Sequence, residues 1–134
     1  MNIFVDTPAF LAVLTASDEF HQPAKNAWAE IISSGSNLLS SNYIILETIA
    51  LLQNRFGIEA VRLFQTDIVP VLEIIWIDET IHQLALSALL TANRRNLSLV
   101  DCTSFEIMRR VRLDAVFTFD SDFSEQGLLC IPSN

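Results

Sequence analysis

The tightest constraint on this chain is an alternation. Short apolar runs that stop at a polar residue take turns with longer, helix-patterned segments. "NIFV" (2–5) reads as a buried strand and stops at Asp6. "TPAFLAVL" (7–14) follows as a helix, with Thr7 as its N-cap and Pro8 at its first position, where a missing N–H does no harm. "AKNAWAEIISS" (24–34) is helical and stops near Gly35, and "NLLSS" (37–41) is a short strand. "SNYIILETIALLQNRF" (41–56) is a longer helix, capped by Ser41 or Asn42 and ended by Gly57. A helix over "IEAVRLFQTDIV" (58–69), a strand over "EIIWI" (73–77) and a helix over "ETIHQLALSALLTANRR" (79–95), capped by Asp78, come next. "LVDCTSFEIMRRVR" (99–112) is a further helix, and "AVFTF" (115–119) and "LLCI" (128–131) are the last strands. Strands alternating with helices predict an α/β chain whose sheet is parallel and covered on both faces.

The length, 134 residues, suits one domain over 1–134, and three glycines and four prolines leave no long flexible linker. Half the residues are hydrophobic, enough for a substantial core and for a subunit interface besides. Asp or Glu interrupts every apolar run, so no membrane span is expected. The N-terminal stretch lacks a basic n-region, so a cytoplasmic location is expected. Cys102 and Cys130 form no CxxC pair and read as reduced, mostly buried thiols. His21 and His82 are isolated, each near a helix start, and suit surface or capping roles. Cys and His are too few at ligand spacing for a zinc site. The formal net charge is −8. Proteins that grip nucleic acid by its phosphates usually carry an excess of Lys and Arg. Any nucleic-acid activity here must therefore use local basic patches, metal ions or both. The candidate patches are Arg94 and Arg95 in "NRR", and Arg109, Arg110 and Arg112 in "RRVR".

Four carboxylates stand out from an otherwise ordinary set of acids. Asp6 ends the first strand, and Asp120 follows "AVFTF". Glu47 sits inside "NYIILETIALL", a helix apolar on nearly every side, and Asp101 sits among the apolar residues of "LSLVDCTSFEIM". Carboxylates beside a core are unfavourable unless something compensates them. Singly, three have ordinary explanations: Asp6 and Asp120 as caps, and Asp101 as an early-turn acid favoured by the helix dipole. Glu47 has none. Two of the four end strands, and in open α/β sheets that edge is where ligands bind. If the four converge, their mutual repulsion needs a cation. Lys25 is the only lysine, and the arginines cluster elsewhere in the sequence. An all-oxygen carboxylate site without His or Cys suits Mg²⁺ or Mn²⁺, which in many nucleases activates a water toward phosphate. The hydroxyls of Thr7, Ser104 and Thr118 lie one to three residues from these acids, where they could orient waters, contact phosphate or simply pack.

These residues carry a family likeness. "FVDTPAFLAVL" with Asp6, "SSNYIILETIALL" with Asn42 and Glu47, "LSLVDCTSFEIMRR" with Asp101 and "FTFDSDF" with Thr118 and Asp120 occur in order over essentially the whole chain. The sequence resembles the PIN-domain family, most closely the VapC-type toxins of prokaryotic toxin–antitoxin pairs. The resemblance implies a three-layer α/β/α fold with a central parallel sheet and a metal-dependent endoribonuclease acting on structured RNA such as tRNA or rRNA. It implies Mg²⁺ or Mn²⁺ held by Asp6, Asp101, Asp120 and Glu47, directly or through water. It also implies a homodimer and a cognate antitoxin that inserts into the active-site groove. Asp122 falls at a position that varies in the family, and is expected to cap a turn or support the acids from behind.

Two other classes are weighed. A catalytically silent PIN-like protein-binding module would be marked by a missing acid, and none of the four is missing. A phosphoryl-transfer domain would need a lysine after a late strand, or further motifs after "DSD", and neither is present. No Gly-rich loop is available for a Rossmann nucleotide site.

Overall fold

In the computed structural model, which describes residues 1–132, five parallel strands form one sheet in the order β3-β2-β1-β4-β5. The strands are β1 (Asn2–Val5), β2 (Asn37–Ser41), β3 (Leu72–Ile75), β4 (Ala115–Phe117) and β5 (Leu129–Ile131). The helices are α1 (Thr7–Leu14), α2 (His21–Ser33), α3 (Asn42–Phe56), α4 (Ile58–Leu63), α5 (Glu79–Ala92) and α6 (Leu99–Arg110). Consecutive buried residues in β1, β2 and β4 mean that both faces of the sheet are covered, which gives the three-layer α/β/α arrangement. Phe4, Phe117, Ile44, Leu52 and Ile107 are among the fully buried side chains of its core.

The order of strands fixes where a site can form. β1 is the central strand, with β2 on one side and β4 on the other. Chain direction along the sheet reverses there, and the carboxyl edge of such a sheet opens a crevice at the reversal. Val5 is level with Phe117, so Asp6 and Thr118 emerge side by side at that edge. The Asp6 N–H continues the ladder by donating to the Phe117 carbonyl at 3.1 Å.

Several local expectations are corrected. Asp6, not Thr7, occupies the N-cap position of α1, and its side chain makes no capping bond. Thr7 is instead buried in the first turn. Of the two caps offered for α3, Ser41 is the one: its hydroxyl accepts from the Ile44 N–H at 3.1 Å. The single helix expected over 58–69 is broken. It runs as α4, then a π-helical turn over Phe64–Ile68 and a 3₁₀ turn over Val69–Val71. Pro70 in that last turn has no N–H to continue an α-helical ladder, and the wider π turn keeps Phe64 and Ile68 both in the core. The Phe64 ring meets Phe10 edge-on at 5.2 Å. α5 stops at Ala92 because Asn93 takes the left-handed conformation, φ 51°, so Arg94 and Arg95 lie beyond the helix. "AVFTF" is strand only through Phe117. Among the described residues no helix is long and apolar enough to cross a membrane.

Candidate metal centre

Three of the four singled-out acids meet. One carboxylate oxygen each from Asp6, Asp101 and Asp120 lies within 4.8 Å of the others. Each arrives by a different route. Asp6 comes from the end of β1 and is buried, 3 % exposed. Asp101 comes from the first turn of α6, where it forms a capping box with Ser98: the Ser98 hydroxyl accepts from the Asp101 N–H at 3.0 Å, and the Asp101 carboxylate accepts from the Ser98 N–H at 3.4 Å. Asp120 follows β4 and caps a 3₁₀ helix over Ser121–Gln126, accepting from the Asp122 N–H at 2.9 Å. The ordinary capping roles of Asp101 and Asp120 are therefore real, and they coexist with the cluster. That 3₁₀ helix is pinned by Phe123, fully buried and edge-on to Phe105 of α6 at 5.2 Å. The elements carrying Asp101 and Asp120 are thereby packed against each other.

Glu47 stands beside this trio and outside it. It is close enough for its charge to disfavour ionisation of both Asp6 and Asp101. The side chain projects from α3 into a cleft of about 630 Å³ that Asp120 also lines. Burial pushes the Asp6 carboxyl up to about 7, with the neighbouring Asp101 and Glu47 charges adding to it; hydrogen bonds from the Thr7 N–H and the Thr118 hydroxyl oppose the shift. Asp101 is also raised, first by burial and then by the charge of Asp120, against the pull of its Ser98 contacts. Among the described residues no Lys, Arg or His forms an ion pair with Asp6, Asp101 or Asp120. A convergent, uncompensated set of hard oxygen donors fits a divalent cation such as Mg²⁺ or Mn²⁺.

The neighbouring hydroxyls divide. Thr118 serves the site: its hydroxyl donates to Asp6 at 3.2 Å and accepts from the Asp120 N–H at 3.0 Å. Thr7 accepts from the Thr48 hydroxyl at 3.2 Å and donates to the Ile44 carbonyl at 3.5 Å, tying α1 to α3 behind the acids. Ser104 is turned back on its own helix, donating to the Val100 carbonyl at 3.1 Å. Asn42 is used elsewhere, accepting from the Ile77 N–H at 2.7 Å and so joining α3 to the segment after β3. Asp122 lies outside the trio, with its carboxylate 3.6 Å from the Arg94 guanidinium.

Of the basic patches, Arg94 pairs with Asp122, two residues from Asp120, while the arginines at the end of α6 lie elsewhere. Arg109 and Arg110 both pair with Glu106, at 3.2 and 3.7 Å, near the far end of α6 from Asp101. The Arg112 carbonyl accepts from the Asn2 side chain at 3.0 Å, which places it at the opposite edge of the sheet. Arg95 is exposed. The cleft beside the acids has a different arginine, Arg55, which the clusters in the sequence did not point to. Its signal was available: Glu47, Leu51 and Arg55 are spaced i, i+4, i+8 on α3, and all three line the cleft. Phe20 and Phe119, on the opposite sequence segments of the same cleft, were likewise missed.

A sheet of this order with an acid trio at its switch point is the architecture of a PIN domain, and the chain belongs to the PIN domain family, whose model matches residues 3–128. Several proteins of known structure or activity are similar to it. It is 33 % identical over 128 residues to the 23S rRNA-specific endonuclease VapC20 of Mycobacterium tuberculosis, covering 95 % of both chains. The crystal structure of that sarcin–ricin loop cleaving toxin superposes with a TM-score of 0.82, covering 95 % of this chain and 96 % of the other. FitAcB of Neisseria gonorrhoeae shares the fold with a TM-score of 0.68 at 16 % identity, covering 96 % of this chain and 95 % of the other. VapBC-1 of nontypeable Haemophilus influenzae does so with 0.63 at 13 % identity, covering 97 % and 96 %.

Proposed function

We propose that this chain, folded as one domain, is a metal-dependent endoribonuclease, the toxin of a prokaryotic toxin–antitoxin pair, and that it hydrolyses phosphodiester bonds in structured RNA. The observation that carries this reading is the convergence of Asp6, Asp101 and Asp120 with, among the described residues, no cationic side chain paired to them. These three would hold Mg²⁺ or Mn²⁺, with Glu47 assisting through water. A bound divalent cation lowers the pKa of a water and stabilises charge on the phosphate under attack. The protein's own part is positional. Thr118 orients the Asp6 carboxylate through its hydroxyl and fixes the Asp120 backbone by the same atom. Ser98 holds Asp101 at the start of α6. Glu47 faces the cleft, where it can accept a proton from a water at its carboxylate or hand one on.

The likeness to VapC20 supports a ribosomal RNA loop, rather than a tRNA, as the substrate. Similarity to VapBC-1 supports a cognate antitoxin as partner. Exposed Leu46, Trp76 and Leu90 are apolar surface of the kind that subunit contacts cover, in keeping with a homodimer. The protein would act in the cytoplasm, where ribosomes are. The test is direct. Purified protein, freed of antitoxin, is incubated with ribosomes and with total RNA, in Mn²⁺ or in EDTA, beside Asp6→Asn. Site-specific cleavage that needs both the cation and Asp6 is the expected result. Cleavage persisting in EDTA or in the variant overturns the mechanism.

A further inference from the structure

The cleft beside the acids carries an aromatic column that the chemistry above does not use. It starts in the core at Phe117, which is fully buried at the end of β4. Phe119 packs on Phe117 edge-on at 6.2 Å. Phe20 then stacks flat on Phe119, with ring centroids 4.6 Å apart and planes 8° from parallel. Phe20 is 41 % exposed, so the column ends in an open ring. The ring is firmly presented. Its backbone N–H donates to the Asp18 carboxylate at 2.8 Å, and the next residue, His21, donates from Nδ1 to the Ala12 carbonyl of α1 at 2.7 Å. Phe119 directly precedes Asp120, and both line the cleft.

We infer that Phe20 and Phe119 form a stacking platform for one unpaired nucleobase of the RNA, next to the phosphate that is cut. This rests on the ribonuclease reading and specifies how that substrate is gripped. Aromatic faces on rigid supports are how proteins hold splayed single-stranded bases, whatever the base. The charge around the platform decides which end of the nucleotide it takes. Asp18 and Glu19 line the cleft beside Phe20 and repel a phosphate, whereas a neutral base is not repelled. Arg55, on the same cleft and in no ion pair among the described residues, is the side chain there that attracts a phosphate. The base therefore lies on Phe20 with the backbone running past Arg55 and the acids. In a chain of net charge −8, stacking supplies affinity that phosphate contacts do not.

A single-stranded RNA 10-mer with 2-aminopurine at its centre, titrated with the intact protein at low salt in EDTA, reads stacking as fluorescence quenching without cleavage. Wild type and Phe20→Tyr are expected to quench. Phe20→Leu, which stays apolar and loses the π face, should shift the midpoint about 10- to 100-fold and melt within a few degrees of wild type. On the RNA that wild type cleaves in Mn²⁺, Phe20→Leu should raise KM and leave kcat nearly unchanged. Absence of quenching by wild type, or quenching by Phe20→Leu equal to wild type, overturns the platform. Quenching without cleavage of any RNA in Mn²⁺ would instead overturn the ribonuclease reading and leave the platform standing.

Discussion

The Thr118 hydroxyl donates to the buried Asp6 carboxylate at 3.2 Å, so the side chain that follows β4 orients the acid that ends β1. The same oxygen accepts the Asp120 N–H at 3.0 Å. One small side chain thus sets two members of the trio relative to each other. Thr118→Val keeps the shape and removes both bonds. It should lower cation affinity or turnover by about 10- to 100-fold, the usual effect of losing an outer partner of a metal ligand. Thr118→Ser should restore most of it. Cation titration by calorimetry, alongside cleavage rates, separates the two parameters.

The raised Asp6 carboxyl predicts an unusual pH dependence for the cation-free protein. The folded chain keeps a proton on Asp6 up to about pH 7, whereas an unfolded chain releases it near the ordinary value of 3.8. Between these values the unfolded state binds fewer protons than the native state, so stability falls as pH rises, by about 1.4 kcal/mol per unit. The contribution is fully present below the lower value and lost above the upper one, on the order of 4 kcal/mol in all. Asp101 is shifted in the same direction and adds to the slope. Urea denaturation in EDTA from pH 4.5 to 8 should show the decline, and Asp6→Asn should flatten it. Mn²⁺ at pH 8 should recover several degrees of Tm in wild type only, because the cation binds the folded state. A wild-type slope no steeper than that of Asp6→Asn would remove the basis for this reading.

The two aspartates of "FTFDSDF" should behave differently. Asp120 contributes an oxygen to the trio, while the Asp122 carboxylate faces Arg94 at 3.6 Å. What Asp122 gives Asp120 is its backbone N–H, which any residue at that position keeps. Asp120→Ala should reduce cleavage by more than about 100-fold. Asp122→Ala should stay within about 10-fold and cost about 1 kcal/mol of stability or less, since its Arg94 partner is about half exposed and the pair is 3.6 Å long. Single-turnover rates on a shared RNA substrate compare them directly.

Phe123→Ala tests how the site is braced. The ring is fully buried edge-on to Phe105 and anchors the short helix that Asp120 caps. Truncation should destabilise by about 3–5 kcal/mol. Activity should fall even at temperatures where circular dichroism shows the chain folded. A variant that is folded and fully active would show that Asp120 is held by other contacts.

Much of this was legible because strand and helix periods, cap residues and interrupted apolar runs are local signals. The order of elements, the cap at Asp78, and the burial of Asp6 follow from residues read in place, while the structure chooses Ser41 over Asn42 as the cap of α3. What the local signals miss is geometry between segments. Nothing in "FVDTP" tells whether Asp6 or Thr7 leads the helix, because either residue type can cap. Glu47 looked like a fourth member because its helix has little polar face, but its distance from the trio is set by how α3 packs on α1. Arginine clusters drew attention to 94–95 and 109–112, whereas the single Arg55 in the cleft is conspicuous only once α3 is placed. Phe20 and Phe119 carry no local signal of a shared role; they meet only because the turn over 15–20 brings one ring flat on the other.

The partnership of Asp6 with Thr118 joins residues 112 positions apart. A polypeptide still being synthesised lacks its third carboxylate until Asp120 has left the exit tunnel, and it lacks the brace at Phe123 until three residues later. The acid cluster is therefore a late product of synthesis: its first member is made among the earliest residues and waits for a partner more than a hundred positions downstream.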